Sequence, residues 1–292
     1  MNQTNGQTNT YHRPFPALTP AQRYRLDING YVVIENTLTP DLTGRIREAM
    51  QQLKRDFLAT ADPAKAYIRN CHLSTFKPHH MHFAHLLETD PAILEYLTHP
   101  RLVAMAEELV GGSVRLEESE GVINTRAADY DPNAPRRYGF HTGTRPEFGT
   151  YIENGLFHCN FVKTLTNLTD LGPDDGGTVV IAGSHKIKAP QQQIIACAYE
   201  DPSLIHQVIA PAGSTLLFAE SLVHATGQIR NDNERVIIIG GYTPPMFRPW
   251  PGQEPSQAYI DNVPEVFKPL ISGSESWHWR QHYRTLDMPV VE

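Results

Sequence analysis

The sequence predicts an α+β fold in which a helical layer on the N-terminal side covers a jelly roll, that is, a double-stranded β-helix. Three observations support this prediction. Amphipathic segments with helix-capping residues occupy the part of the chain before Val114. From Val114 onward, short runs rich in β-branched and aromatic residues alternate with Gly, Pro, Asp and Asn. Helices followed by many short strands are typical of two packed antiparallel sheets with a helical layer.

The helices are predicted from their capping residues and their apolar spacing. Thr19-Pro20 places a capping threonine before a proline in the first turn, and this short helix is expected to end near Asn29-Gly30. A second helix begins at Thr39-Pro40-Asp41, and its apolar residues recur at helical spacing: Leu42, Ile46, Met50 and Leu53. A third helical stretch is predicted from Pro91 to Leu109, closed by Gly111-Gly112.

The strands and the domain organisation follow from the remaining pattern. One strand, Tyr31 to Ile34, is predicted between the first two helices, and the other predicted strands are 114–126, 156–168, 178–182, 206–209, 214–218 and 235–243. No internal repeat or linker divides the chain, so residues 19–292 are predicted to form one jelly-roll domain after a disordered leader, residues 1–18. The proline- and tryptophan-rich tail from Thr243 is expected to wrap around the barrel.

Composition narrows the class of protein. The chain has 292 residues, 40% of them hydrophobic, and a net charge of −7 without a long basic run, which argues against a nucleic-acid surface. Its cysteines, Cys71, Cys159 and Cys197, form no paired motif that would indicate disulfides or zinc. No run approaches the roughly 18 apolar residues of a membrane helix, and the first residues lack an apolar signal region. We therefore expect a soluble, cytoplasmic protein with a small-molecule substrate, and the oligomeric state stays open.

Two histidines far apart in the sequence are candidate metal ligands. His141 lies in Phe140-His141-Thr142-Gly143 at a strand end, and His224 follows the apolar strand that ends at Phe218. Two histidines and one carboxylate form the facial triad of non-haem iron oxygenases. The carboxylate would be expected two residues after the first histidine, where this chain has Gly143.

A glycine-rich block and an arginine complete an ordered pattern. The block runs from Asp174 to Lys186 as turn, buried strand and turn, and Arg235 follows His224 by eleven residues. Over roughly residues 25 to 245, this set resembles the phytanoyl-CoA dioxygenase family of iron(II)/2-oxoglutarate enzymes, which have a cupin-like barrel. The chain departs from the family pattern in two further places, with Ala182 where the family has proline and Ser214 where it has aspartate.

The resemblance implies roles for several residues. His141 and His224 would bind iron(II), Arg235 would pair with the distal carboxylate of 2-oxoglutarate, and Thr226 would contact the same co-substrate. An arginine suits that role because its forked donors match a carboxylate, which would be costly to bury unpaired. If Arg235 does not bind the carboxylate, Arg230 or Lys163 would be the cation.

Further co-substrate contacts are predicted from strand alternation. In the run from Phe157 to Leu168, Asn160, Val162, Thr164 and Thr166 share one face. Such a polar face inside a barrel suits a ligand better than a packed core, so Asn160 and Thr166 are predicted to contact the co-substrate. Asn124 and Thr125 occupy a place where the family has another such contact.

The glycine at position 143 is compatible with three interpretations of the missing carboxylate ligand. A His-x-Gly or His-x-Ala sequence marks the iron(II)/2-oxoglutarate halogenases, in which a chloride would take the open coordination position. Alternatively, Glu147 or Glu153 from the following loop restores an ordinary triad, and the enzyme is a hydroxylase. In the third account the site is degenerate, and the chain is a non-catalytic cupin-like binding protein. Glycine also has an ordinary role wherever two backbones approach closely.

Other histidines and acidic residues are also possible metal ligands, but other roles are expected for them. The cluster from His79 to His85 is expected in a loop-to-helix region, with structural or substrate-lining roles rather than metal binding. His158 lies too close to the next predicted strand to replace His141. His185 and the Asp174-Asp175 pair are expected to serve the turns around the glycine-rich block.

Together these patterns predict an oxidoreductase that uses iron(II), 2-oxoglutarate and O2, with chloride in the halogenase account. Its reaction would modify an unactivated C–H bond of a small metabolite or natural product. Aromatic and histidine side chains are expected to form a lid over the mouth of the barrel: Tyr67, His79, His82, Phe247, Trp250, Trp277 and Trp279.

Overall fold

The structure is a computed structural model that describes residues 17–153 and 155–273. Its α-helices are α1 (Pro20–Asn29), α2 (Pro40–Leu58), α3 (Pro91–Leu97), α4 (Pro100–Val110), α5 (Pro146–Gly149), α6 (Gln191–Glu200), α7 (Gln257–Asn262) and α8 (Lys268–Ser272). None of the helices in these two ranges has the length and apolar character needed to cross a bilayer.

The helix ends follow the capping residues. The Thr19 side chain accepts from the Gln22 N–H while the Gln22 side chain accepts from the Thr19 N–H, so two of the unpaired donors at the start of α1 are satisfied. Helix α1 ends at Gly30 with φ of 81°, a left-handed conformation that glycine adopts without strain. Both predictions are confirmed.

The predicted helix from Pro91 to Leu109 is two helices. Helix α3 ends at Leu97, and α4 begins at Pro100, which has no N–H to continue the hydrogen-bond ladder. Helix α6 was not predicted at all. Its apolar residues, such as Ile194 and Ala198, are buried against the neighbouring strands.

The strands form one large sheet and two small ones. They are β1 (Tyr31–Ile34), β2 (Tyr67–Ile68), β3 (Cys71–Lys77), β4 (His80–Ala84), β5 (Arg115–Asn124), β6 (Thr150–Glu153), β7 (Leu156–Cys159), β8 (Val162–Asn167), β9 (Val179–Ile181), β10 (Ile205–Gln207), β11 (Thr215–Ala219), β12 (His224–Ala225) and β13 (Arg235–Thr243). The eight-stranded sheet has the order β1-β11-β8-β13-β5-β4-β3-β2, and β10-β9-β12 form a second sheet. All pairings are antiparallel, as the jelly-roll prediction requires.

The histidine cluster lies on a strand, which corrects the prediction of a loop-to-helix region. Strands β3 and β4 form a hairpin, and β4 pairs with β5 so that His80 is opposite Asn124. The alternation of His80 and His82 with the buried Met81 and Phe83 is the two-residue period of a strand. This arrangement carries two histidines to the inside of the fold.

Two hydrophobic cores lie on opposite faces of the large sheet. The outer core packs the helices against residues such as Val162, Leu217 and Ile238. The inner core joins the large sheet to the small one through residues such as Leu165, Val180 and Ile237. The helices therefore form a layer outside the jelly roll, and a cavity lies between the two sheets.

The ends of the described chain pack against this framework. The backbone N–H groups of Ala17 and Leu18 both donate to Glu108, and both residues are buried, so these last two residues of the predicted leader are ordered. Residues 1–16 lie outside the described ranges. Beyond β13 the tail crosses β5, where Arg115 donates to the carbonyls of Phe247 and Ile271.

Candidate functional site

The cavity between the sheets has a volume of about 360 Å³ and brings four predicted site residues together. Its lining includes His141, His224, Thr226 and Arg235, which come from a loop and from two different sheets. The lining also includes further polar residues: His80, His82, Glu118, Glu120, Lys163, Thr178 and Glu220.

His141 and His224 are neighbours across a single antiparallel bridge. Each backbone N–H donates to the other residue's carbonyl, with N···O distances of 2.9 and 3.0 Å. Their ring centroids are 4.3 Å apart at an interplanar angle of 55°. Strand β12 also pairs with β9, which places His224 opposite Val180 of the glycine-rich block.

Hydrogen bonds orient both imidazoles in the same way. His141 Nδ1–H donates to the Gly139 carbonyl at 3.1 Å, and His224 Nδ1–H donates to the Leu222 carbonyl at 2.8 Å. Because a carbonyl can only accept, each Nδ1 carries a proton, and in the neutral form of either ring the lone pair is on Nε2. Burial, and secondly His141, lower the pKa of His224 to about 3. The neutral ring is the form that binds a metal ion, and a held Nδ1–H is the usual support of such a ligand.

Arg235 is a buried cation whose hydrogen-bond partners are neutral. It is 2% exposed, donating to Asn124 Oδ1 at 3.2 Å and to Thr178 Oγ1 at 3.0 Å. Within residues 17–153 and 155–273, its Nε has no partner and no carboxylate forms an ion pair with it. Burial lowers its pKa to about 10, so it stays charged near neutral pH. A buried guanidinium without a counter-charge suits an anionic ligand.

Asn124 connects the arginine to the histidine strand. Its amide donates to His80 Nδ1 at 2.8 Å while its carbonyl oxygen accepts from Arg235. Burial is the main reason that the pKa of His80 is lowered to about 4, and His82 adds to it. Asn124, expected to touch the co-substrate, thus also holds the cation, and Thr178 of the glycine-rich block does the same from the opposite sheet.

Two sets of ion pairs line the cavity, one around the buried Lys163 and one between the partly exposed His82 and Glu120. Lys163 Nζ lies 2.5 Å from Glu118 Oε1 and 3.3 Å from Glu117 Oε2, and His82 Nε2 lies 2.8 Å from Glu120 Oε2. Burial would lower the pKa of His82, but the hydrogen bond and charge of Glu120 raise it. The lysine is therefore already paired, and Arg235 is the better candidate to bind a ligand carboxylate.

The space beside Gly143 is filled by a carboxylate that sequence analysis missed. A Cβ built on Gly143 would lie 2.0 Å from Glu220 Oε1 and 2.6 Å from its Cδ. The Gly143 N–H also donates to the Glu220 carbonyl at 3.1 Å. Burial is the main reason that the pKa of Glu220 is raised to about 8, although Lys163 opposes that shift. The available signal was an acidic residue directly after the buried strand β11, four residues before His224.

Glu147 and Glu153 do not line this cavity. Glu147 borders a separate cavity of about 550 Å³ together with Thr142 and Gln191. Glu153 ends β6, where it pairs with Leu156 in a two-stranded hairpin. The expectation that one of these loop glutamates supplies the third ligand is therefore not supported by their positions.

The remaining predicted contacts divide between the two faces of β8. Thr166 Oγ1 donates to the Tyr96 hydroxyl at 3.2 Å, in the outer core under α3, while Lys163 and Leu165 of the same strand line the cavity. Asn160 lies before β8 and does not line the cavity. The predicted face of this strand was the wrong one, because alternation defines two faces without saying which sheet each face meets.

The other expected features have the following partners in the fold. His158 donates to the Leu109 carbonyl on the helical side, and His185 packs edge-on against Phe157 at 4.6 Å. Phe247 and Trp250 of the predicted lid pack against Phe161, with centroid distances of 5.5 and 6.1 Å. Tyr67 instead packs on His72, and Trp277 and Trp279 lie outside the described residues.

As placed, the side chains do not form a closed metal cage. No group of three or more His, Cys, Asp and Glu side chains within residues 17–153 and 155–273 is arranged to hold a metal ion. The cavity instead presents two histidines with their Nε2 atoms available, a carboxylate nearby and an unpaired guanidinium. This donor set still fits a metal ion and an organic dianion together, since nitrogen, carboxylate and arginine are each of the required type.

Comparisons with known proteins agree with the site's chemistry. The sequence profile described as phytanoyl-CoA dioxygenase (PhyH) matches residues 26–237. The chain is 24% identical to the dioxygenase trt7 of Aspergillus terreus over 284 residues, covering 96% of this chain and 91% of that protein. It is 25% identical to the ectoine dioxygenase of Nocardia farcinica over 224 residues, covering 68% and 69% of the two chains.

A solved structure shows the same fold. HygX of Streptomyces hygroscopicus with nickel and 2-oxoglutarate bound superposes with a TM-score of 0.63 at 22% identity, covering 80% of this chain and 90% of that one. A second HygX structure also contains hygromycin B. The jelly-roll prediction is thereby confirmed.

Proposed function

Because this chain belongs to the phytanoyl-CoA dioxygenase (PhyH) family, we propose that it is an iron(II)- and 2-oxoglutarate-dependent dioxygenase acting on a small molecule. One observation carries the proposal: the paired imidazoles of His141 and His224 share a cavity with a buried arginine that lacks a carboxylate partner in the described ranges. Metal ligands and an anion-binding group are the two parts that such an enzyme needs.

Different residues of the cavity would bind iron(II) and 2-oxoglutarate. His141 and His224 would hold iron(II) through Nε2, since each Nδ1–H is engaged by a carbonyl. Arg235 would bind the distal carboxylate of 2-oxoglutarate, with Asn124 and Thr178 fixing the plane of its guanidinium. Thr226 lines the same cavity and would add a hydroxyl contact.

When bound, iron(II) and 2-oxoglutarate supply the oxidising chemistry with O2, and the protein supplies position and environment. The apolar side chains of Leu165, Phe218 and Ile237 line the cavity beside the ligands and limit the access of water. In that setting the Arg235 charge is weakly screened, so it orients a carboxylate strongly.

Hydroxylation-type oxidation is the better supported outcome. The carboxylate of Glu220 occupies the space that Gly143 leaves, and Glu118 and Glu120 line the same cavity. A chloride ion would have to share this space with the Glu220 side chain, which fills it in the structure. The His141-Thr142-Gly143 sequence favours halogenation as the second candidate function, and the response to halide separates the two.

The substrate is proposed to be a polar small metabolite or natural product. The lining carries charged and hydrogen-bonding groups from five strands, so a polar ligand would find partners there while a hydrocarbon would not. The related proteins agree in class, since one is named an ectoine dioxygenase and the HygX structure contains hygromycin B.

The test is anaerobic assembly followed by oxygen. The purified chain, loaded with iron(II) and 2-oxoglutarate without air, should develop a visible metal-to-ligand charge-transfer band, and admitting O2 should produce succinate slowly without substrate. The control is His206→Ala, which replaces an exposed histidine outside the cavity and should leave both signals unchanged. A chain that binds 2-oxoglutarate without any dependence on metal, and forms no succinate, would instead be the cupin-like binding protein.

A further inference from the structure

Resting on the proposed function, we propose that Glu220 is the carboxylate ligand of the iron site and replaces the side chain that Gly143 lacks. The triad would then be His141, His224 and Glu220, with the carboxylate supplied by the turn that follows β11. The chemical requirement is unchanged, because two imidazoles and one carboxylate remain the ligand set.

The Glu220 side chain occupies the space that a side chain at position 143 would need. Three atoms of the Glu220 side chain, Oε1, Cγ and Cδ, lie 2.0, 2.4 and 2.6 Å from the position of a Cβ on Gly143. Real side-chain carbons do not approach other atoms so closely, so an aspartate at 143 and this glutamate conformer exclude each other. The glycine is thus the complement of the glutamate, and its presence does not imply an empty coordination position.

Backbone hydrogen bonds hold Glu220 beside the segment that carries His141. The Glu220 N–H donates to the Phe161 carbonyl at 3.1 Å, and its own carbonyl accepts from the Gly143 N–H at 3.1 Å. These two bonds fix the Glu220 backbone between β8 and the segment that carries His141. Its side chain therefore passes through the place from which the side chain of an aspartate at 143 would begin.

The carboxylate of Glu220 has an oxygen atom available to bind a ligand. Three carboxylates line the cavity, and two are engaged: Glu118 pairs with Lys163 and Glu120 with His82. Glu220 is 9% exposed, and its Oε2 has no hydrogen-bond partner among residues 17–153 and 155–273. A buried carboxylate oxygen without a partner is costly unless a ligand satisfies it.

To bind a metal ion together with His141 and His224, the Glu220 side chain would have to rotate. The three side chains are not a closed group as placed, but a glutamate has one more rotatable bond than an aspartate, and the Glu220 backbone is hydrogen-bonded to Gly143. Rotation about these bonds changes no backbone contact. With the carboxylate bound, the position that a halide would take in the absence of a third protein ligand would be filled by Glu220.

The decisive experiment uses cobalt(II), which reports binding without turnover. Anaerobic titration calorimetry and the visible spectrum of the cobalt complex would be measured for the wild type, for Glu220→Gln and for the control Glu147→Gln. We expect Glu220→Gln to weaken cobalt binding by at least about 10-fold and to alter the spectrum, while the control binds as the wild type does.

A swap of the carboxylate tests position directly. The backbone at Gly143 is not in the left-handed region, so it accepts a side chain once Glu220 is shortened. Glu220→Ala should lose affinity, and Gly143→Asp combined with Glu220→Ala should regain most of it. This recovery would not occur if Glu220→Ala had simply disturbed folding.

Three results would overturn the inference. The first is unchanged cobalt affinity and spectrum in Glu220→Gln, and the second is failure of the double variant to recover. The third is a chloride-dependent shift of the charge-transfer band in the wild-type iron–2-oxoglutarate complex. Failure of the proposed function looks different: His224→Ala would then bind cobalt as well as the wild type, and that result overturns both proposals.

Discussion

His141 and His224 donate backbone hydrogen bonds to each other's carbonyls, although 83 positions in the chain separate them. This bridge fixes the separation of the two imidazoles through the backbone, independently of any ligand. The side chains can therefore be changed without removing the contact that joins the two segments. Substitutions of the two histidine side chains can therefore test metal binding separately from folding.

Replacing either histidine by alanine should abolish iron(II) binding without unfolding the protein. The backbone bonds between residues 141 and 224 remain in His141→Ala and His224→Ala, so the thermal unfolding temperature of the metal-free protein should stay close to that of the wild type. Metal content after anaerobic loading, measured by elemental analysis, checks the prediction. Full iron occupancy in either variant would contradict it.

Replacing Arg235 by alanine should weaken 2-oxoglutarate binding by two decades or more. The ligand carboxylate would lose its counter-charge in a buried site, at a cost of about 3–5 kcal/mol. Arg230→Ala is the matched control, because that arginine pairs with Asp174 at the surface. Titration of the charge-transfer band with 2-oxoglutarate gives both affinities, and equal weakening in the two variants would argue against a specific role for Arg235.

Thr178→Val should weaken 2-oxoglutarate binding more modestly. The valine keeps the size of the side chain but loses the hydroxyl that accepts from Arg235 at 3.0 Å. A lost hydrogen bond of this kind corresponds to about 1 kcal/mol, or about 5- to 10-fold in affinity. Iron binding should not change, and an effect on iron instead of 2-oxoglutarate would show that Thr178 acts elsewhere.

Thr166→Val and Thr226→Val should have opposite effects on stability and binding. Thr166 is buried against Tyr96 and Thr215, so its loss should reduce the free energy of unfolding by about 1–3 kcal/mol and leave 2-oxoglutarate affinity intact. Thr226 lines the cavity, so its variant should bind 2-oxoglutarate more weakly at nearly unchanged stability. Urea unfolding and ligand titration on the same two proteins would distinguish this from the reverse assignment.

Acidification should destabilise the fold partly through His185. Burial, and secondly Lys186, lower the pKa of His185 to about 4, so the unfolded chain takes up a proton that the folded one refuses between pH 6.5 and 4. Stability from this group is therefore present above pH 6.5 and is lost as the pH falls. The destabilisation caused by His185→Gln should be constant from pH 7 to 8 and shrink by up to about 1.4 kcal/mol per pH unit below 6. A constant difference down to pH 4.5 would contradict the shift.

Local patterns determined what depends on nearby residues. Thr19 with Gln22 and the glycine at position 30 define both ends of α1, and each acts within one helical turn. The strand from Arg235 to Thr243 was likewise predictable, because an apolar run of that length is buried whatever it pairs with. The histidines and Arg235 were found from an ordered set of motifs, which needs only their spacing.

The tertiary structure alone decided which side chains meet. Glu220 lies 77 positions after Gly143, and only the packing of β11 against the His141 segment places its carboxylate in the space above the glycine. The face of β8 that meets the cavity was decided in the same way, by the helices that cover its other side. Alternation along a strand defines two faces from sequence, but the neighbour of each face is set by contacts between distant segments. The sequence by itself determined the fold class and the histidine and arginine candidates, while the position of the carboxylate depended on the assembled sheets.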